Sequence, residues 1–305
     1  MVWLAKLCLV TMLIVCCQVK DDASISMAAG EYQAKGPFVL LAIKSHAGSF
    51  SYCSGGLVKV EAAFYLITAA HCFAGAESLM LAPVRGEQET FWAWNRRLQA
   101  TINEPWRRLP DSVLLPKEYD SLGSKDGAVI FDDSLTMKRS PVDIAILPVR
   151  PEQIERYKGG LDEFVTFPKG PKTRSLSKLY YDLRRNKKGT LDVTGTGTEF
   201  DRSSYFGKPR KVKIENDTYK IRQGDLGFYI ETVANPGLFP GDSGALLVET
   251  KPDGRRVLRG VYSNGHVRVN GRRRFAYIES GRTFFKEHAF RRWDLKTLQP
   301  LICNK

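Results

Sequence analysis

The chain has 305 residues, 43% of them hydrophobic and 26% charged, with 26 glycines. That is enough apolar chain for sizeable cores in one large or two modest domains, and it excludes an intrinsically disordered protein. The formal net charge of +13 fits a solubilising surface first and attraction to anionic glycans, nucleic acid or membranes second; no nucleic-acid fold signature accompanies it.

Residues 1–17 hold one charge, Lys6, and an almost unbroken apolar run at 7–15, with polar residues at 18–22 beyond it. The run is short for a membrane span and has the length of a secretory signal core. A cleaved signal is expected, cut between 17 and 26, with an uncleaved anchor as the alternative. Residues 18–30 then make an N-terminal segment, a short propeptide in one reading. Of six cysteines, Cys8, Cys16 and Cys17 lie in or beside the signal, leaving Cys53, Cys72 and Cys303. This usage suits a secreted or periplasmic protein.

From residue 36 onward, runs at 38–43, 56–60 and 64–68 are apolar or alternating and separated by Gly, Ser and His. No long amphipathic helix is read between them, so the expected class is all-β with closed or packed sheets. Residues 74–141 carry Trp92, Trp94 and Trp106 beside two arginine pairs. The tryptophans are expected to cover the first sheet, with a binding exosite as the alternative. Residues 121–140 read as a surface insertion and 148–160 as the crossing between two halves. Lys211-Val212-Lys213-Ile214 alternates as a half-exposed strand should, and Asn216-Asp217-Thr218 is a glycosylation sequon in a eukaryotic host. Phe284, Phe285, His288, Phe290 and Trp293 fall near helical spacing, so 283–298 reads as a helix. Basic residues crowd 169–188, 208–213 and 268–274. No spacing of His, Cys, Asp and Glu suggests a metal site, and no cofactor is expected.

Three stretches carry chemistry. In Gly241-Asp242-Ser243-Gly244, glycines bracket a serine in a tight turn before an apolar run. A serine hydroxyl becomes a good nucleophile only beside a base and an oxyanion hole, and taken alone an ordinary turn is the better reading. Thr68-Ala69-Ala70-His71-Cys72 ends one apolar run with a histidine, and Asp143-Ile144-Ala145-Ile146-Leu147 heads another with a carboxylate. The three together, in this order, resemble the chymotrypsin-like (trypsin-fold) serine proteases, whose signatures are Thr-Ala-Ala-His-Cys, Asp-Ile-Ala-Leu-Leu and Gly-Asp-Ser-Gly-Gly. The resemblance spans about residues 28–290 and lies mainly in the motifs. It implies two six-stranded antiparallel Greek-key β-barrels, at 31–150 with His71 and Asp143 and at 151–282 with Ser243, and a C-terminal helix and tail at 283–305. It also implies a secreted serine endopeptidase working through an acyl-enzyme. His71 would be base and then acid, Asp143 its orienter and Ser243 the nucleophile, with the N–H groups of Gly241 and Ser243 as oxyanion hole.

By the same resemblance Cys53 and Cys72 are bridged, stabilising by about 2–4 kcal/mol, and Cys303 is left over. Ser263 would back Asp143 and begin, with Asn264 and Gly265, the strand that pairs with substrate. Gly237 would sit at the pocket floor, where trypsin-type enzymes place an aspartate, and Phe275 where a wall glycine is common. A small or shallow apolar pocket is expected, and peptide-library cleavage dominated by basic residues contradicts it. Leu114-Leu115-Pro116, Val193-Thr194-Gly195-Thr196-Gly197, Gly260-Val261-Tyr262-Ser263 and Phe275-Ala276-Tyr277-Ile278 look like further strands of the family. One departure concerns Met27-Ala28-Ala29-Gly30, in the place of an Ile-Val-Gly-Gly start, with no Arg or Lys just before it. Since a buried carboxylate needs a partner, either another cation neutralises Asp242 or processing follows a different specificity. His46, His266 and His288 read as loop, pocket-rim and final-helix residues. The expected partner is a protein or peptide substrate for a monomer, with no specific nucleic acid and no stable membrane insertion once the signal is removed. Two alternatives are a catalytically silent homologue used for binding or adhesion, and a polyanion-binding protein on the same scaffold.

Overall fold

The structure is a computed structural model and describes residues 38–60, 63–73, 76–118, 140–157, 165–166, 190–197, 206–215, 217–265, 272–278, 290–294 and 299–300. The chain divides into residues 1–30 and 31–305, and everything described belongs to the second unit. The expected signal and start, the 121–139 part of the expected insertion, the basic run 169–188, Asn216, His266, His288 and Cys303 lie outside the described residues.

The first sheet contains β1 (Phe38–Ser45), β2 (Phe50–Val60), β3 (Ala63–Thr68), β4 (Ala76–Ala82), β5 (Ser112–Leu115), β6 (Ala145–Pro148), β14 (Arg291–Asp294) and β15 (Gln299–Pro300). Their order is β15-β14-β5-β6-β3-β2-β1-β4. The apolar run of β1 is buried at every position from Phe38 to Ile43, because the strand lies between β2 and β4 inside one closed core. β4 curls back toward the entry to β5: Met80 bridges Arg108, and Leu109 N–H donates to the Leu79 carbonyl at 2.9 Å. β1 to β6 are thus the six strands expected, closing on themselves.

The second sheet contains β7 (Thr190–Gly195), β8 (Arg210–Ile214), β9 (Tyr219–Gly224), β10 (Gly227–Thr232), β11 (Leu246–Thr250), β12 (Arg256–Gly265) and β13 (Arg273–Tyr277). Their order is β8-β7-β11-β12-β13-β10-β9, all antiparallel. Val212 and Ile214 of β8 point inward while Lys211 and Lys213 are exposed, as the alternation predicts. Val58, Ile67, Ile144 and Ile146 from the first sheet pack with Leu246, Val248, Leu258, Val261 and Ala276 from the second in one shared core. This apolar seam fixes the two sheets face to face, and the motif residues lie at its edge.

The all-β, two-sheet architecture is as expected, with two corrections. Among the described residues the first sheet adds β14 and β15 to the six expected strands, and the second sheet has seven. Also, Arg291–Asp294, inside the expected final helix, form β14, because the edge of β5 offers hydrogen bonds to residues 291–294 that outweigh a weak helical periodicity. Among the described residues, two α-helices interrupt the strands where no long one was read. In α1 (Phe91–Thr101), Thr90 caps the N-terminus by accepting from Ala93 N–H at 3.2 Å. In α2 (Pro151–Tyr157), within the 148–160 crossing, Gln153 Oε1 accepts from Arg150 N–H at 3.0 Å. Trp94 and Trp106 pack against the first core as predicted, but Trp92 is 75% exposed.

Candidate active site

His71 sits on a 3₁₀ turn, Ala70–Phe73, that follows directly from β3. Its backbone N–H donates to Asp143 Oδ1 at 2.9 Å, and its ring Nδ1 lies 2.7 Å from Asp143 Oδ2. Asp143 stands just after the short turn Ser140–Val142 and just before β6, where the flanking Val142 and Ile144 are fully buried. The Ser263 hydroxyl, on β12 of the other sheet, donates to the same Oδ2. Burial alone would push the Asp143 carboxyl up, but the His71 ring together with the bonds from His71 and Ser263 outweighs it and holds the group below the ordinary aspartate range. An ionised carboxylate only accepts, so Nδ1 is the protonated nitrogen, and in the neutral form of the ring this makes Nε2 the acceptor.

The serine turn is docked against both sheets by its backbone. Gly241 and Gly244 have φ of +97° and +87°, the left-handed region that favours glycine. A Cβ on Gly244 would stand 2.0 Å from Thr68 Oγ1 and 2.2 Å from the Ser54 carbonyl oxygen, so the backbone there lies directly on the middle of β2 and the end of β3. Ser54 N–H donates to the Ser243 carbonyl at 2.8 Å, and the Ser54 hydroxyl donates to the Gly241 carbonyl at 2.8 Å. On the other side, Gly244 N–H donates to the Tyr262 carbonyl and Tyr262 N–H to the Ala245 carbonyl, each at 2.8 Å. The Cys53–Cys72 disulfide is present, and Cys72 Sγ lies 3.9 Å from the Ser243 carbonyl oxygen. The peptide of Ser243 is therefore held beside the neighbours of both His71 and Ser263. Among the described residues, none accepts a hydrogen bond from Gly241 N–H or Ser243 N–H.

Asp242 is fully buried. Gly197 N–H reaches its Oδ1 at 2.6 Å, Phe239 N–H its Oδ2 at 2.9 Å, and Arg210 forms an ion pair with Oδ2. Burial pushes this carboxyl up, and Arg210, the backbone N–H groups and Arg273 pull against it without reversing the direction. Arg210 also donates to the carbonyls of Gly237 and, at 2.7 Å, Gly197. Gly237, the expected floor residue, has φ +98° and is capped by Asn235 Oδ1 at 2.9 Å from its N–H. Phe275 is wholly buried with its ring 5.4 Å from that of Tyr262. Asn264 and Gly265 continue β12, opposite Arg274 and Arg273. His46 lies in the exposed turn between β1 and β2.

Four residues of this arrangement escaped the sequence reading: Ser54, Thr68 as a buttress, Arg210 and Arg273. Thr68 Oγ1 donates to the Ser54 carbonyl at 2.7 Å, and buried Arg273 donates through Nε to the Leu238 carbonyl at 2.9 Å. Only the unpartnered charge of Asp242 pointed to any of them, since it demanded a cation without naming it.

The chain matches no protein-family model and no curated protein. Solved structures similar to it include the protease Anisep from Arthrobacter nicotinovorans, at 11% identity and a TM-score of 0.49, covering 85% of this chain and 98% of that one. The HL collagenase structure is similar at 16% identity and a TM-score of 0.46, covering 85% of this chain and 97% of that one.

Proposed function

We propose that the chain is a secreted serine endopeptidase with His71, Asp143 and Ser243 as its triad. The observation that carries this reading is the bonded chain Ser263–Asp143–His71 lying beside the docked peptide of Ser243. In the proposed reaction His71 Nε2 takes the proton of the Ser243 hydroxyl as its oxygen adds to the substrate carbonyl carbon. The resulting imidazolium is stabilised by ionised Asp143, and the oxyanion is met by the N–H groups of Gly241 and Ser243. His71 then gives its proton to the departing amine, the peptide C–N bond breaks, and an ester to Ser243 remains. Water, deprotonated by His71, attacks that ester and releases the acid and the free serine.

The test is labelling of the secreted protein with a fluorophosphonate, alongside peptide hydrolysis. Strong labelling that disappears in Ser243→Ala is the expected outcome. A wild-type protein that takes up no label, or a label that persists in Ser243→Ala, overturns the reading. Salt-dependent retention on a polyanion without hydrolysis would assign the scaffold to binding instead.

A further inference from the structure

Resting on that reading, we propose that Arg210 is the positioning residue of the nucleophile turn, so that the charge of Asp242 is met from within residues 197–242 and the turn needs no newly cut chain start. Asp242 is the residue before Ser243, and a carboxylate with no exposed surface must have its charge and lone pairs met locally. Here both oxygens are met. Oδ1 takes the Gly197 N–H, and Oδ2 takes the Phe239 N–H and the Arg210 guanidinium.

No space is left for another group at the carboxylate on the side of residues 195–197. A Cβ on Gly195 would stand 2.2 Å from Asp242 Oδ1, and one on Gly197 would stand 2.7 Å from Asp242 Cγ and equally close to the carbonyl oxygens of Phe239 and Pro240. The guanidinium does more than neutralise. Its other N–H groups hold the carbonyls of Gly197 and Gly237, and it lies 5.1 Å from the centre of the Phe239 ring. One planar cation thus joins the end of β7, the Gly237 turn and the residue before the nucleophile. Five donors in a rigid fork can do this, and a lysine ammonium cannot reproduce the geometry. Because the 237–244 segment contains three glycines at positive φ, its own backbone does not fix its path, and an outside clamp is required.

The experiment uses the full chain as secreted, with Arg210→Met, Arg210→Lys and the double variant Arg210→Met with Asp242→Asn. In Arg210→Met we expect kcat to fall about 100-fold, the size of losing one oxyanion donor, with KM within about 3-fold. Arg210→Lys is expected to recover part of the loss. The double variant removes both charges, so it is expected to melt close to wild type while kcat stays low, an outcome a merely structural role would not give. Hydrogen exchange of the 241–245 amides, which needs no activity, is expected to accelerate in Arg210→Met and in the double variant. Should Arg210→Met not fold, the double variant carries both readouts. Intact mass of the fluorophosphonate-labelled wild type is expected to show label on chains irrespective of where they start. The proposal is overturned by kcat within 3-fold of wild type in the folded variants, by unchanged exchange at 241–245, or by label confined to chains that have lost residues 18–30 while chains keeping them stay unlabelled. Failure of the wild type to label at all sinks the hydrolase reading instead, and the exchange rates then decide the role of Arg210 alone.

Discussion

Asp143 accepts three hydrogen bonds and touches an imidazole, and these together hold its carboxyl below the ordinary value of about 3.9. The folded state therefore binds fewer protons than the unfolded one around that pH. The stability this group contributes is present above the unfolded value and is lost as pH falls through the folded one. We predict that urea unfolding followed between pH 2 and 6 shows a steeper loss of stability on acidification for wild type than for Asp143→Asn; parallel curves would contradict this. At this scale the sequence was most legible. Apart from Asp242, the residues flanking His71, Asp143 and Ser243 are apolar or glycine, so the motifs announced their own local structure. Arg210 was not legible, because the bonds that matter join it to residues 197, 237 and 242, and no local pattern marks such a reach.

The helix α1 shows how an element can be legible and still be passed over. Phe91, Trp94, Leu98 and Ile102 follow one another at spacings of three and four, behind a threonine cap. Trp92, an exposed apolar residue between Phe91 and Trp94, blurs that period. Trp94 is 1% exposed, its Nε1 donates to the Pro83 carbonyl at 2.7 Å, and its ring lies 5.9 Å from that of Phe206. Phe206 in turn crowds Gly241, where a Cβ would stand 3.0 Å from its ring edge. We expect Trp94→Ala to cost about 3–5 kcal/mol in denaturant unfolding and to lower hydrolysis as well. Trp92→Ala should stay within about 0.5 kcal/mol of wild type. Equal effects from the two would refute this division of labour. β14 is the opposite case: its strand conformation depends on the free edge of β5, more than 170 residues earlier in the chain, which no window of sequence can see.

At the scale of the molecule, the His71 and Asp143 side of the site is built on the first sheet and the Ser243 turn on the second, with Ser263 and Ser54 crossing the seam between them. Mutual orientation of the sheets is thus a condition of any chemistry, and the shared core of isoleucine, valine and leucine supplies it. We predict that a chain ended at residue 290 leaves β5 unpaired on one edge and loses the packing of Trp293 against the first core. Its soluble refolding yield should fall well below that of the full chain, with increased light scattering; an unchanged yield would show β14 to be dispensable.

The return of β14 to β5 has a kinetic corollary for the cell. A ribosome delivers β1 to β6 first, then the whole second sheet, and only afterwards residues 291–300, so the earliest-made half stays unfinished until almost everything else has emerged. Its open edge is a standing invitation to holdase chaperones throughout translation.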